Sequence, residues 1–129
     1  MDFEHPEPNP PPFTTLAWRL SHITAHVFEM RVANHFGSGD FRIDAHTYPG
    51  SADEVMARLD EQQARWRSGI GALTEQDWTQ PVGQAEGPFA ERSYLALALH
   101  LNRELFHHGA EVALLRDLYR ASSGGMRAE

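Results

Sequence analysis

The stretch ALALHLNRELFHHGAEVALLRDLYR, residues 96–120, decides the fold. It holds no proline and one interior glycine, Gly109. Leu97, Leu101, Leu105, Val112 and Leu115 recur at three- and four-residue steps, a spacing that an α-helix gathers onto one face. At about 100° per residue, Glu104 and His108 fall inside that apolar stripe or at its edge, and His100 and Glu111 border it. A carboxylate turned toward a core is costly unless it is paired, hydrogen-bonded or bound to a metal. This acid and this imidazole, one turn apart, therefore need a chemical reason.

Working outward, the chain has 129 residues, enough for one small domain with a single core. Its net charge is −7, and all 11 basic residues are arginine. So acidic a chain, without a basic run, is a poor match for nucleic acid or an anionic membrane surface. No stretch approaches the roughly 18 apolar residues of a membrane span. The N-terminal MDFEHPEPNPPP is acidic and proline-rich, the opposite of a secretory leader, which places the expectation in the cytoplasm. Cysteine is absent, so the chain has no thiolate ligand and no thiol nucleophile of its own. With eight histidines, the available donors are imidazole and carboxylate, a set that suits zinc, iron, nickel or manganese.

Three substantial helices are expected, plus a short one. Residues 1–12 carry five prolines and read as an extended arm, which Phe3 and Phe13 could anchor. Thr14 or Thr15 caps a helix running to about residue 36, ended by Gly37, Ser38 and Gly39. It carries two apolar sectors: Leu16, Leu20, Ile23, Val27 and Met30 in one, and Trp18, Ala25, Phe28 and Val32 in the other. His22 and His26 lie in the gap between them. The loop 37–50 has room for an extended piece around Phe41 to Ile43. Ser51 with Glu54 predicts a capping box for a helix over 51–73, with Val55, Leu59, Gln62, Trp66 and Ile70 on its apolar edge. Thr74 to Trp78 reads as one helical turn, and VGQAEGPF as a loop. The last helix is expected from about Ala90 to Ala121, giving an arm (1–12), a bundle (13–121) and a tail (122–129). Trp18, Phe28, Leu99 and Phe106 would need covering by the arm, the loops or a second subunit; a homodimer is the expectation.

Glu104 and His108, at i and i+4, could offer two ligands to one metal, with a third from the interior of the His22/His26 helix. Three donors from two helices would leave open coordination positions, as catalytic metal sites do. The residues alone also allow a purely structural reading. Glu104 could pair with Arg19 or Arg103, and His26 could be a polar plug. Glu111 could either orient an imidazole or pair with Arg103 or Arg116.

WRLSHI, residues 18–23, followed by HLNRELFHHGAEVALLRDLYR, residues 100–120, resembles the DinB-like superfamily of four-helix metalloproteins over about residues 13–121. That superfamily includes mycothiol- and bacillithiol-dependent S-transferases and mycothiol-dependent maleylpyruvate isomerases. The resemblance implies an all-α up-down bundle, here apparently lacking the family's first helix and the isomerases' extra C-terminal domain. It implies His22, Glu104 and His108 as ligands of a divalent metal, zinc foremost, with His26, His100 and His107 outside the ligand set. The implied activity is transfer of a low-molecular-weight thiol to a small electrophile. A metal-dependent hydrolase and a non-catalytic helical binding module are the alternatives.

Overall fold

The computed structural model describes residues 14–125 together with Asn9, with side chains through Ser122. The expected arm, with Phe3 and Phe13, lies outside the described residues apart from Asn9, as do residues 126–129. Three long helices carry the fold: α1 (16–36), α2 (Ala52–Gly71) and α3 (Tyr94–Gly125). Short 3-10 turns at Ile43–Ala45, Asp77–Thr79 and Gln84–Phe89 punctuate the connections. Among the described residues there is no strand, only one isolated antiparallel bridge between Pro81 and Ser93.

The starts of all three helices follow from side-chain caps. Thr15 accepts a bond from the Trp18 N–H at 3.1 Å. Ser51 accepts from the Glu54 N–H, and the Glu54 carboxylate accepts in return from the Ser51 N–H, completing the predicted capping box. Ser93 Oγ accepts from the Ala96 N–H, so α3 begins at Tyr94 and not near Ala90. The residues before it are held out of the helix because Val82 N–H donates to the Arg92 carbonyl at 2.8 Å. At its other end α3 runs to Gly125, beyond the expected Ala121. Of the piece expected to be extended around Phe41 to Ile43, Arg42 has extended backbone and a 3-10 turn begins at Ile43. Thr74 caps its turn as read, exchanging bonds with Asp77.

The middle of the molecule is α1: Leu16–Ser21 packs against α3, Met30–Phe36 against α2, and His22–Glu29 between them against both. Both of its apolar sectors are covered, with Ile23, Ala25, Val27, Phe28 and Val32 all buried. Phe28, expected to need outside cover, is only 3% exposed within the chain itself. Trp66 from α2, Val82 from the long connection and Leu97, Ala98 and Leu101 from α3 complete this core. Burying each large apolar side chain contributes about 1.5–3 kcal/mol. Leu99 and Phe106 do face water, along with Leu95, Leu114, Leu118 and Tyr119 on the outer side of α3.

Double coverage comes with a departure from α geometry. Between Leu16–Ser21 and Met30–Phe36, which are ordinary α-helix, His22–Glu29 takes the wider π form, with Met30 N–H reaching back to the Ala25 carbonyl. π turns are rare and concentrate at functional sites. This one opens with His22.

Candidate metal centre

His22 stands on the first π residue of α1, and Glu104 and His108 stand one turn apart on the facing surface of α3. The structure brings the three together: one donor atom of each lies within 4.8 Å of the others. The His22 and His108 rings meet edge to face, with centroids 4.7 Å apart. His108 Nε2 is 3.4 Å from Glu104 Oε2. Two donors that each sit about 2.1 Å from a tetrahedral zinc ion are themselves about 3.4 Å apart, so this spacing fits a shared metal.

The protonation states fit as well. Burial, reinforced by the neighbouring His26 and His108 and opposed by Glu104, lowers the His22 pKa to about 4. Its imidazole is therefore neutral near pH 7 and has a lone pair to offer. An Arg103 hydrogen bond holds Glu104 below the ordinary carboxylate range against burial, which pushes it up. Arg103 takes Glu104 Oε1 at 2.8 Å and leaves Oε2 facing His108. Glu104 thus pairs with Arg103 through one oxygen and faces His108 with the other.

His108 is 9% exposed, and its second nitrogen is not free. Nδ1 lies 2.7 Å from Glu111 Oε2, and Arg19 Nη1 from α1 hydrogen-bonds the same carboxylate. Burial pushes the Glu111 pKa up, but the His108 bond and the charge of Arg19 outweigh it and hold the group below its usual range. An ionised carboxylate only accepts, so Nδ1 is the donor to Glu111 and Nε2 is the nitrogen turned toward Glu104. Glu111 therefore orients an imidazole, and its arginine partner is Arg19, not Arg103 or Arg116.

Two neighbours take roles the sequence reading did not give them, Trp18 beside His22 and Arg19 on Glu111 in place of Glu104. Trp18 stacks flat on His22, with centroids 5.0 Å apart and planes 7° from parallel. Its i, i+4 spacing from His22 on a helix was a signal for it. Arg19 lies 92 residues from Glu111 in the chain, and no local pattern announces that pair. His26 lines a cavity of about 220 Å³ beside the triad, with Val27, Met30, Arg31, Leu101 and His100. His107, 62% exposed, points outward as expected, although it forms a second possible donor group with His108 and Glu111. That group sits on one helix and shares His108 with the triad. The triad drawn from two helices is the better-built centre.

A model of the DinB superfamily matches residues 3–112. The chain belongs to the DinB superfamily. No curated protein and no solved structure gives a significant match to it. Membership and the His/Glu cluster are together compatible with a divalent metal in this DinB-superfamily bundle. Among the described residues, no helix is long and apolar enough to cross a membrane.

Proposed function

We propose that the chain is a metal-dependent transferase that holds a divalent ion, zinc foremost, on His22, Glu104 and His108 and moves a low-molecular-weight thiol onto a small electrophile. The observation that carries the reading is the convergence from two helices of a neutral imidazole, an ionised carboxylate and a second imidazole whose far nitrogen is anchored. A bound divalent ion would supply Lewis acidity, lowering the pKa of a thiol that reaches it. The thiol comes from outside because the chain has no cysteine.

The chain's own residues do the positioning. Glu111 and Arg19 fix the His108 ring and its tautomer. Trp18 covers one face of His22, and Arg103 holds the Glu104 rotamer. Val27, Met30 and Leu101 give the adjoining cavity an apolar wall beside the triad. We place this activity in the cytoplasm, without a nucleic-acid or membrane partner, in keeping with the acidic charge. We further propose a homodimer: the exposed Leu95, Leu99 and Phe106 on α3 are an apolar surface that the same surface of a second copy would cover.

Elemental analysis of the purified protein tests the metal. One divalent ion per chain, lost in both His22→Ala and His108→Ala, is the expected result; unchanged stoichiometry in both variants refutes the ligand assignment. With the metal established, turnover that requires an added thiol supports the transferase. Turnover of the same electrophile by water alone makes the protein a hydrolase.

A further inference from the structure

Although the chain carries a net charge of −7, one of its cavities is walled by arginine. It encloses about 390 Å³ between α1, the loop before α3 and the first turns of α3, with Arg31, Arg92, Arg103 and His100 in its lining. Arg31 and His100 also line the smaller cavity that contains His22 and Glu104, so the two spaces share a wall.

The charges in that wall do not cancel. Its one carboxylate, Glu86, is engaged at both oxygens, Oε1 with His35 Nε2 at 3.0 Å and Oε2 with Arg31 Nη2 at 3.0 Å. Arg103 is turned to Glu104. Arg92 makes no ion pair among the described residues. Of the three guanidinium groups in the wall, Arg31 and Arg103 thus have acidic partners and, among the described residues, Arg92 has none. A guanidinium presents a planar fork of N–H donors that matches carboxylate and phosphate oxygens. The remaining wall is apolar, built from Val82, Leu97 and Phe89, a residue 61% exposed. A volume of this size suits a small organic molecule.

We propose that this cavity binds an amphipathic organic anion, its carboxylate or phosphate head on Arg92 and its apolar body against Phe89 and Leu97. The other end of such a ligand faces the wall shared with the His22/Glu104 cavity. The proposal deepens the transferase reading, on which it rests for everything after binding, by naming the class of electrophile: small, anionic and partly apolar. Binding itself needs no metal.

The test therefore uses the full chain stripped with a chelator and titrated calorimetrically at low salt. The probes are benzoate, phenyl phosphate and the neutral isostere benzamide. At least one anion should bind about tenfold more tightly than benzamide, the order expected of one charge-assisted hydrogen-bonded pair. Arg92→Gln should abolish that preference; the Arg92 side chain is exposed, so its loss spares the core. Phe89→Ala should weaken anion and benzamide alike and leave their ratio unchanged. The tighter of the two anions identifies the head group. Equal binding of all three probes, a preference that survives in Arg92→Gln, or no binding at millimolar concentration overturns the proposal. Because the titration contains no metal, these outcomes stay readable whatever elemental analysis returns.

Discussion

Glu111 Oε2 lies 2.7 Å from His108 Nδ1, and Arg19 of α1 grips the same carboxylate across the helix interface. The packing of α1 on α3 and the aim of His108 Nε2 are thus set by one side chain. Glu111→Gln keeps the shape and an acceptor for Nδ1 but removes the charge that holds Arg19. Loss of such an outer partner typically weakens metal binding about 10–100-fold. Competition against a chromophoric chelator should show that loss, while saturating metal still reaches the wild-type stoichiometry. Wild-type affinity in the variant would mean that Glu111 only ties the two helices together.

The low pKa of His22, about 4, predicts how the metal-free protein responds to acid. In the unfolded chain His22 takes up a proton as pH falls through about 6.5; in the folded chain it resists until about 4. Between those values the unfolded state binds more protons, so stability is fullest above pH 6.5 and declines toward pH 4. The ceiling is about 3 kcal/mol, reduced in practice because the ring is only partly buried. Urea unfolding of chelated protein at several pH values should show this slope in the wild type and a shallower one in His22→Gln. Parallel slopes would show that His22 is not held neutral by the fold.

Much of this was legible in the sequence, and what was not shares one physical cause. The Ser51/Glu54 capping box, the Thr15 cap and the i, i+4 placement of Glu104 and His108 are local, and local spacing reads them directly. The π geometry of His22–Glu29 is not local. It arises where one helix is packed on two sides, and no residue preference within HITAHVFE announces it. The true start of α3 depended on the bond between Val82 and Arg92, which a helical reading of 90–93 does not see. Glu86 sat in a segment read as an unremarkable loop, yet it is buried against His35 and Arg31 more than 50 residues away. Periodicity shows which face is apolar; it does not show which charged group another element will deliver to that face.

Glu86 gives the third prediction. Burial pushes its carboxyl pKa up, but bonds from His35 and Arg31 more than offset this and leave it below the ordinary range. The same pairs tie the Gln84–Phe89 turn to α1, with Tyr94 closing the network on His35 Nδ1 at 3.3 Å. Glu86→Gln leaves Arg31 without its counter-charge in a largely buried setting and should cost about 2–4 kcal/mol at pH 7. Because the folded pKa is depressed, the contribution of Glu86 is present above about 4.5 and is lost as pH falls below it. The gap between wild type and Glu86→Gln in urea unfolding should therefore narrow on going from pH 7 to below pH 4. A gap independent of pH would contradict the assignment of an ionised, paired carboxylate.

The last prediction concerns how closely α1 and α2 approach. A Cβ at Gly69 would stand 2.3 Å from Cδ2 and 2.4 Å from Cγ of Phe36. The ring has no easy retreat, since Trp66 lies 5.3 Å away and Tyr94 6.4 Å away, centroid to centroid. Overpacking of this kind costs about 1–3 kcal/mol, against a gain of roughly 1 kcal/mol for replacing a helical glycine by alanine. Gly69→Ala should thus be destabilised overall, with Tm lower by roughly 5 °C. Gly109 in α3 supplies the control, because nothing lies within 4 Å of its would-be Cβ. Gly109→Ala should gain about 0.5–1 kcal/mol from helix propensity alone. Thermal unfolding of the two chelated variants side by side separates the terms: opposite shifts establish the contact between Gly69 and Phe36, whereas stabilisation in both would place the helices farther apart than the structure has them.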